Sequence, residues 1–270
     1  MIEFCKKQGL RINIKAVIAY KPLELIDYNK IPYLKVLRYN EMWNRSWTKK
    51  EILESGTHLV ICHHMNDLRE FEKMDLKLNN GQNVVYKYIA HCAEHQIFKD
   101  YNMEKKYDIM LGGCLSPEYY PLRSRFIKIL GKMSSKYKTY LHKHPGYDLQ
   151  DAHTNKYLIE FAQAINQSKL VLSCASKFNY RLGKYVEVPA CGSVLVADKP
   201  YDEHDNYDYM ITINNDMTDN EIENILVKYL EDEKIYEEKR KKGLEFSKDY
   251  TQLNYAKKLY NNIEEYLETF

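Results

Sequence analysis

Short apolar, β-branched runs alternate with stretches of helical periodicity along this 270-residue chain, and that alternation limits the fold more than any other feature. In the first half the runs fall at 11–19, 33–38, 59–62 and 84–90, the last entered through the turn signal Asn79-Asn80-Gly81. Helical patterns lie between them at 49–53 and 68–78, the second with Asn66 or Asp67 as its N-cap. A second set follows. A strand at 108–111 is broken by Gly112-Gly113. An amphipathic helix at 121–132 carries Leu122, Phe126, Ile129 and Leu130 on one face. A strand at 137–141 runs into His142-Lys143-His144-Pro145-Gly146, and a helix at 156–166 and a strand at 169–173 come next. A helix at 181–191 is closed by Gly192, and strands follow at 194–197 and 209–213. From Thr218 onward the pattern is helical, with Thr218 or Asp219 as cap and a solvated charged face at 231–242. Strands separated by helices imply βαβ units and mostly parallel sheets. The expected class is α/β, two Rossmann-like domains with C-terminal helices. The polar stretch 100–106 separates the halves: residues 1–104, then 105–250, with a helix at 251–270.

Composition narrows the function classes. Forty Lys and Arg against 38 Asp and Glu leave a net charge of +2, too balanced for a dedicated nucleic-acid binder. No apolar run approaches the ~18 residues of a membrane span. Cys5-Lys6-Lys7-Gln8 interrupts any signal-peptide core, so a cytoplasmic location is expected. The six cysteines, at 5, 62, 92, 114, 174 and 191, show no C-x-x-C spacing and read as reduced thiols. The 25 tyrosines, with abundant Lys, Asn and Ile, reflect an AT-rich genome rather than an activity.

The most informative segment is 173–198, SCASKFNYRLGKYVEVPACGSVLVAD. Its order is strand, loop, short helix, glycine, strand. In a doubly wound domain the loop after a strand faces the ligand crevice, and Ser173 opens this one. Arg181 and Lys184 put cations there, suited to a phosphate, and Glu187 lies one turn beyond Lys184. A carboxylate at that place accepts both hydroxyls of a ribose; the alternative is an i,i+3 surface ion pair between Lys184 and Glu187.

Lys184-Tyr185-Val186-Glu187, then Pro189-Ala190-Cys191-Gly192, then an apolar strand ending at Asp198, resembles the donor-site segment of GT-B glycosyltransferases. It is most similar to the spore-maturation-type "glycosyl transferases group 1" branch, whose pattern runs K-[FY]-x-E-x-x-A-x-G. Residues 108–125, DIMLGGCLSPEYYPLRSR, resemble the opening strand, Gly loop and helix of that family's C-terminal domain. The resemblance covers 107–198. It implies two domains facing a cleft, a nucleotide-diphosphate sugar held by the second half, and an acceptor held by the first. It also implies no metal and no resident cofactor. By the same resemblance Glu187 holds the ribose, Gly112 and Gly113 approach the donor phosphates, and Gly192 closes the motif. The last helix crosses back to the first half in that family. Many retaining members carry another Glu eight residues before the ribose Glu; here that residue is Asn179.

Histidines form the other constellation. His63 and His64 follow the run 59–62, His91 follows 84–90, and His142 and His144 end a strand in the second half. Their spacing fits no zinc pattern. His144 is a donor-side candidate. His63, His64 and His91 are candidates for the base that removes an acceptor-hydroxyl proton, with Asp67 more plausibly a helix cap. Transfer of a sugar to a glycan or glycoconjugate hydroxyl is the expected activity. The alternatives are a non-catalytic nucleotide-sugar or glycan-binding module, and another α/β enzyme such as a sugar-phosphate epimerase or phosphatase. The absence of Asp-x-Asp and C-(x5)-R signatures weighs against a phosphatase.

Overall fold

The structure, a computed structural model, describes residues 13–20, 28–42, 44–146, 155–201 and 206–269. It divides into two compact units: the described residues up to Ala90 together with those from Lys257 onward, and His91–Ala256. The division falls before the polar stretch 100–106, because residues 93–105 are tied to the second unit. Ala93 N donates to Tyr250 O at 2.9 Å. The buried Asn166 accepts from Tyr101 N and donates to Lys99 O, and Lys105 Nζ donates to Gly192 O at 2.8 Å.

The first unit holds a four-stranded parallel sheet of β1 (Ala16–Tyr20), β2 (Leu34–Tyr39), β3 (Leu59–Cys62) and β4 (Val85–Tyr88), in that spatial order. β3 is buried along its whole length, the usual state of an interior parallel strand and the reason its sequence is continuously apolar. Helix α1 (Arg45–Ser55) starts earlier than the periodicity predicts, because Asn44 caps it by accepting from Trp47 N; Gly56 ends it at φ 61°. Helix α2 (Met65–Glu72) has His64 at its N-cap position. Asp67 does not cap it: the carboxylate accepts from Met42 N at 2.9 Å and pins the β2–α1 loop. The predicted helix at 68–78 stops early because 76–84 folds back on itself around Gly81, with Val84 N donating to Leu76 O. Leu37, Tyr39, Val60 and Cys62 pack with Ile52 and Phe71 as this unit's core.

The second unit holds β5 (Tyr107–Gly112), β6 (Thr139–His142), β7 (Ser168–Leu172), β8 (Val194–Ala197) and β9 (Ile211–Thr212), all parallel, in spatial order β6-β5-β7-β8-β9. Helices α3 (Pro121–Met133), α4 (Lys156–Asn166) and α5 (Lys184–Ala190) connect the first four strands; α6 (Asp219–Glu231), α7 (Glu233–Ser247) and α8 (Gln252–Thr269) follow β9. The order reverses at β5, whose neighbours are the next strand on one side and β7 on the other. That reversal opens a crevice beyond the C-terminal ends of β5 and β7, where ligands bind in open α/β sheets. Separate cores cover the two faces. One joins β-strand residues to Phe161, Tyr185 and Val188; the other joins them to Leu122, Phe126, Ile222 and Leu226.

The end of α8 packs in the first unit, where Gln82 Nε2 donates to Tyr266 Oη at 2.6 Å and Ile263 and Tyr266 are buried. Among the described residues no helix is long and apolar enough to cross a membrane. Cys62, Cys174 and Cys191 are buried free thiols, Cys92 and Cys114 are half-buried, and Cys5 lies outside the described residues.

Candidate functional site

The register brings Gly112, His142, Ser173 and Asp198 to one edge of the second sheet, the C-terminal edge. Gly112 pairs with His142, Leu111 with Leu172, and Leu172 with Val196. Gly113 follows Gly112 at φ 100°, a conformation that side chains disfavour. A Cβ on Gly113 would meet Lys184 Cε at 2.9 Å, Lys184 Nζ at 3.1 Å and Arg123 Nη1 at 3.0 Å. Two cations therefore close on the same backbone point. Gly112 is closed by packing instead: its Cβ would meet Phe161 at 2.8 Å and His142 at 3.5 Å.

Arg123 is the residue that sequence reasoning missed. It is 2% exposed, in the first turn of α3. Its Nη1 donates to Cys114 O at 3.1 Å and its Nη2 to Ser173 Oγ at 3.3 Å, and its guanidinium stacks over the Tyr120 ring at 4.1 Å. Among the described residues no carboxylate forms an ion pair with it, and its buried Nε has no described hydrogen-bond partner. A signal was present: position 123 lies on the buried stripe of α3, three residues before Phe126. A charge on an apolar stripe has a purpose in the fold or the site.

Lys184 reaches the cluster from the start of α5. Burial and the Arg123 charge pull its pKa down to about 8. Glu187, one turn on, is pushed up by burial and drawn back by Lys184 and Arg123. The two do not form the surface ion pair that their spacing allows: no Lys184–Glu187 ion pair lies within 4 Å, although each charge acts on the other. Glu187 instead folds back, and a Cβ on Gly183 would meet its Oε1 at 2.8 Å. His144 and His142 are both lowered by burial, with Lys184 adding to the effect on each.

Two expected donor residues are not part of this grouping. Arg181 is buried with its guanidinium over the Tyr250 ring at 4.0 Å and Phe246 at 5.3 Å, so the cation beside Lys184 is Arg123. Gly192 sits before β8, at the opposite edge of the sheet. Its φ of 66° and the Asp100 carboxylate, 2.7 Å from where a Cβ would lie, make it a turn and packing residue.

In the first unit His63 follows β3 and is almost fully buried. Its Nδ1 lies 2.8 Å from Ile89 O, which places the proton on Nδ1, and its Nε2 is 3.5 Å from Arg38 Nη2. Burial drops its pKa to about 4, a neutral and weakly basic ring. His64, at the start of α2, is also buried. His91 belongs to the second unit. Among the described residues no group of three or more His, Cys, Asp or Glu is arranged to hold a metal ion.

No family model and no curated protein matches the chain. Solved structures do. The pneumococcal O-GlcNAc transferase GtfA, in complex with UDP and GlcNAc, aligns over 98% of this chain and 59% of its own, at 12% identity and a TM-score of 0.58. TarM aligns over 97% and 57%, at 13% identity and a TM-score of 0.64. Anabaena HepE, in complex with UDP, aligns over 86% and 72%, at 12% identity and a TM-score of 0.61. The chain thus spans under three fifths of the length of GtfA and TarM, and what it shares with all three is a fold, that of GT-B glycosyltransferases.

Proposed function

We propose that this chain is a glycosyltransferase that moves a sugar from a nucleoside-diphosphate sugar to an acceptor hydroxyl. The observation that carries the reading is the convergence of Arg123 and Lys184, neither in an ion pair with a described carboxylate, on Gly113 at the sheet's switch point. Two partly desolvated cations with a single described carboxylate, Glu187, acting on them retain an excess of positive charge that favours an anion. Glu187 is the carboxylate beside them and takes the ribose hydroxyls in this reading. The shared fold with proteins whose structures contain UDP supports the choice of a nucleotide over another phosphate.

The chemistry follows from charge. When the glycosidic bond to the diphosphate breaks, negative charge grows on the leaving oxygen. Fixed donors in a low-dielectric pocket stabilise that charge more in the transition state than in the ground state. Arg123 is pre-oriented by Cys114 O and Ser173 Oγ, so little reorganisation is needed. The two side chains supply the positive charge themselves, so EDTA is expected to leave nucleotide affinity unchanged. The base is assigned to His64 or His91 ahead of His63, whose low basicity suits proton abstraction poorly. The finer affinity to the spore-maturation-type branch rests on the motif at 184–192.

A second reading, a binding module without turnover, is favoured by one feature: Asn179 stands where many retaining relatives of this type carry a Glu. A panel of UDP, GDP, ADP and TDP sugars tests both. Sugar release to water or to a saccharide acceptor supports transfer. Saturable binding with no turnover across the panel supports the module. A panel without any binding overturns both.

A further inference from the structure

The second sheet ends at β6, its outermost strand, and the groove between that edge and α4 holds a cavity of about 260 Å3. It meets the C-terminal edge of the sheet only at His142. From there it runs to Tyr107 at the start of β5 and Gln167 at the end of α4, the opposite end of the strands from Gly113. Tyr107 and Tyr140 make one wall; both are half-buried, and their rings stack at 4.5 Å and 13°. The facing wall is α4. Glu160, Gln163 and Gln167 recur there at i, i+3 and i+7, on one helix face, with the small Ala164 between them leaving the space. The side chains of Glu160, Gln163 and Gln167 make no hydrogen bond or ion pair with a described residue. His142 closes the upper end. It is 8% exposed, its Nδ1 lies 3.3 Å from Tyr140 Oη, and its buried Nε2 has no hydrogen-bond partner among the described residues. Burial lowers its pKa and the Glu160 charge draws it back, so the ring is neutral near pH 7.

Among the described residues no Lys or Arg lines the cavity, and Glu160 is its ionised group. A phosphate or a nucleotide would meet that carboxylate with no cation to offset it. The walls offer instead an apolar ring surface on one side and a row of donors and acceptors on the other. A pyranose has the same division, with C–H groups across its face and hydroxyls that both donate and accept around its rim. We propose that this cavity is a saccharide-binding site separate from the nucleotide crevice, which packs a neutral sugar ring against Tyr107 and Tyr140 and holds its hydroxyls with Glu160, Gln163 and Gln167. The volume lies just under the ~300–1,000 Å3 of pockets that enclose a drug-sized ligand, so one ring is seated and the rest of a longer glycan lies outside. The site stands independently of the nucleotide reading, since none of these five side chains takes part in it. It gives the second unit a foothold on a glycan at the sheet's outer edge, whether or not a sugar is transferred.

Saturation-transfer NMR on the intact chain tests the site, with maltotriose, cellotriose and chitotriose as neutral probes and saturating UDP present to occupy the crevice. At least one probe should bind. The double variant Glu160→Ala, Gln163→Ala should lose at least about tenfold in affinity for that probe, while UDP affinity by calorimetry stays within about twofold. Both positions are exposed on α4 and Ala favours a helix, so the fold stands. Binding of none of the three probes, or undiminished binding by the double variant, overturns the site. Tighter binding of fully deacetylated chitotriose, a cation, than of every neutral probe overturns the neutral-sugar class and assigns the cavity to an amine. If UDP itself does not bind, the nucleotide reading falls, and the saccharide arms are read unchanged.

Discussion

Lys184 is a cation held where water cannot fully solvate it and where a second cation, Arg123, stands close by. Both effects favour its neutral form, and together they bring its pKa to about 8. Bound diphosphate reverses the balance by favouring the charged amine. Nucleoside-diphosphate affinity should therefore be flat from pH 7 to just below 8, then fall by about tenfold per unit as Lys184 loses its proton. The sign for stability is opposite. In the ligand-free chain the folded state sheds this proton near pH 8, while the unfolded state keeps it to ~10.4, so this residue's contribution to stability rises with pH across that window. Calorimetry from pH 7 to 9.5 on the intact chain and on Lys184→Met checks the first statement; a slope that persists in the variant assigns it to another group. Gly113 gives a second outcome at this scale. Gly113→Ala adds a methyl against Lys184 and Arg123 at a φ of 100°, so nucleotide affinity should drop at least tenfold with little change in circular dichroism. Unchanged affinity would mean that this loop does not approach the ligand. Lys184 and Glu187 were singled out by their spacing to Gly192, and the fold puts Lys184 against Gly113 and Glu187 against Gly183. For Arg123 the stripe of α3 signalled a buried charge but not its place, because its partner Ser173 is fifty residues away, and only the folded sheet shows that both lie at one edge.

Elements were read best where local signals and tertiary packing agree. Helices α3 and α4 and strand β8 fall at or within a residue of the positions that periodicity, Pro121 and flanking turns predict. Helix α5 is shorter than the pattern 181–191, because the loop before it is held by two left-handed residues, Ser176 and Asn179, and the helix starts only at Lys184. That loop follows from contacts with Asp198 and Tyr201, which no local pattern encodes. The cap of α6 was legible: Thr218 accepts from Glu221 N, and the Glu221 side chain accepts from Thr218 N. Thr218→Ala should cost about 1 kcal/mol in urea unfolding without altering nucleotide affinity. A null effect on stability would mean that the capping box adds nothing beyond what solvent supplies.

At the scale of the whole molecule, the chain returns at its end to complete its first unit. Ile263 and Tyr266 are buried there, and Lys87 pairs with Glu265 at 3.0 Å. Ending the chain after Ala256 should therefore speed hydrogen exchange in β1 to β4, with smaller changes in β5 to β9. Uniform exchange across both sheets would contradict that division. The central claim concerns the second unit alone: that a nucleoside diphosphate is held through its phosphates by Arg123 and Lys184. It is tested most directly by calorimetry of the nucleoside diphosphate among UDP, GDP, ADP and TDP that raises the melting temperature most, against its bare nucleoside, on the intact chain and on Arg123→Met. The account predicts that the diphosphate binds far more tightly than the nucleoside in the intact chain. It predicts that Arg123→Met costs the diphosphate at least ten- to a hundred-fold while leaving the nucleoside almost unchanged. Equal losses for the two ligands, or undiminished diphosphate binding in Arg123→Met, would contradict it.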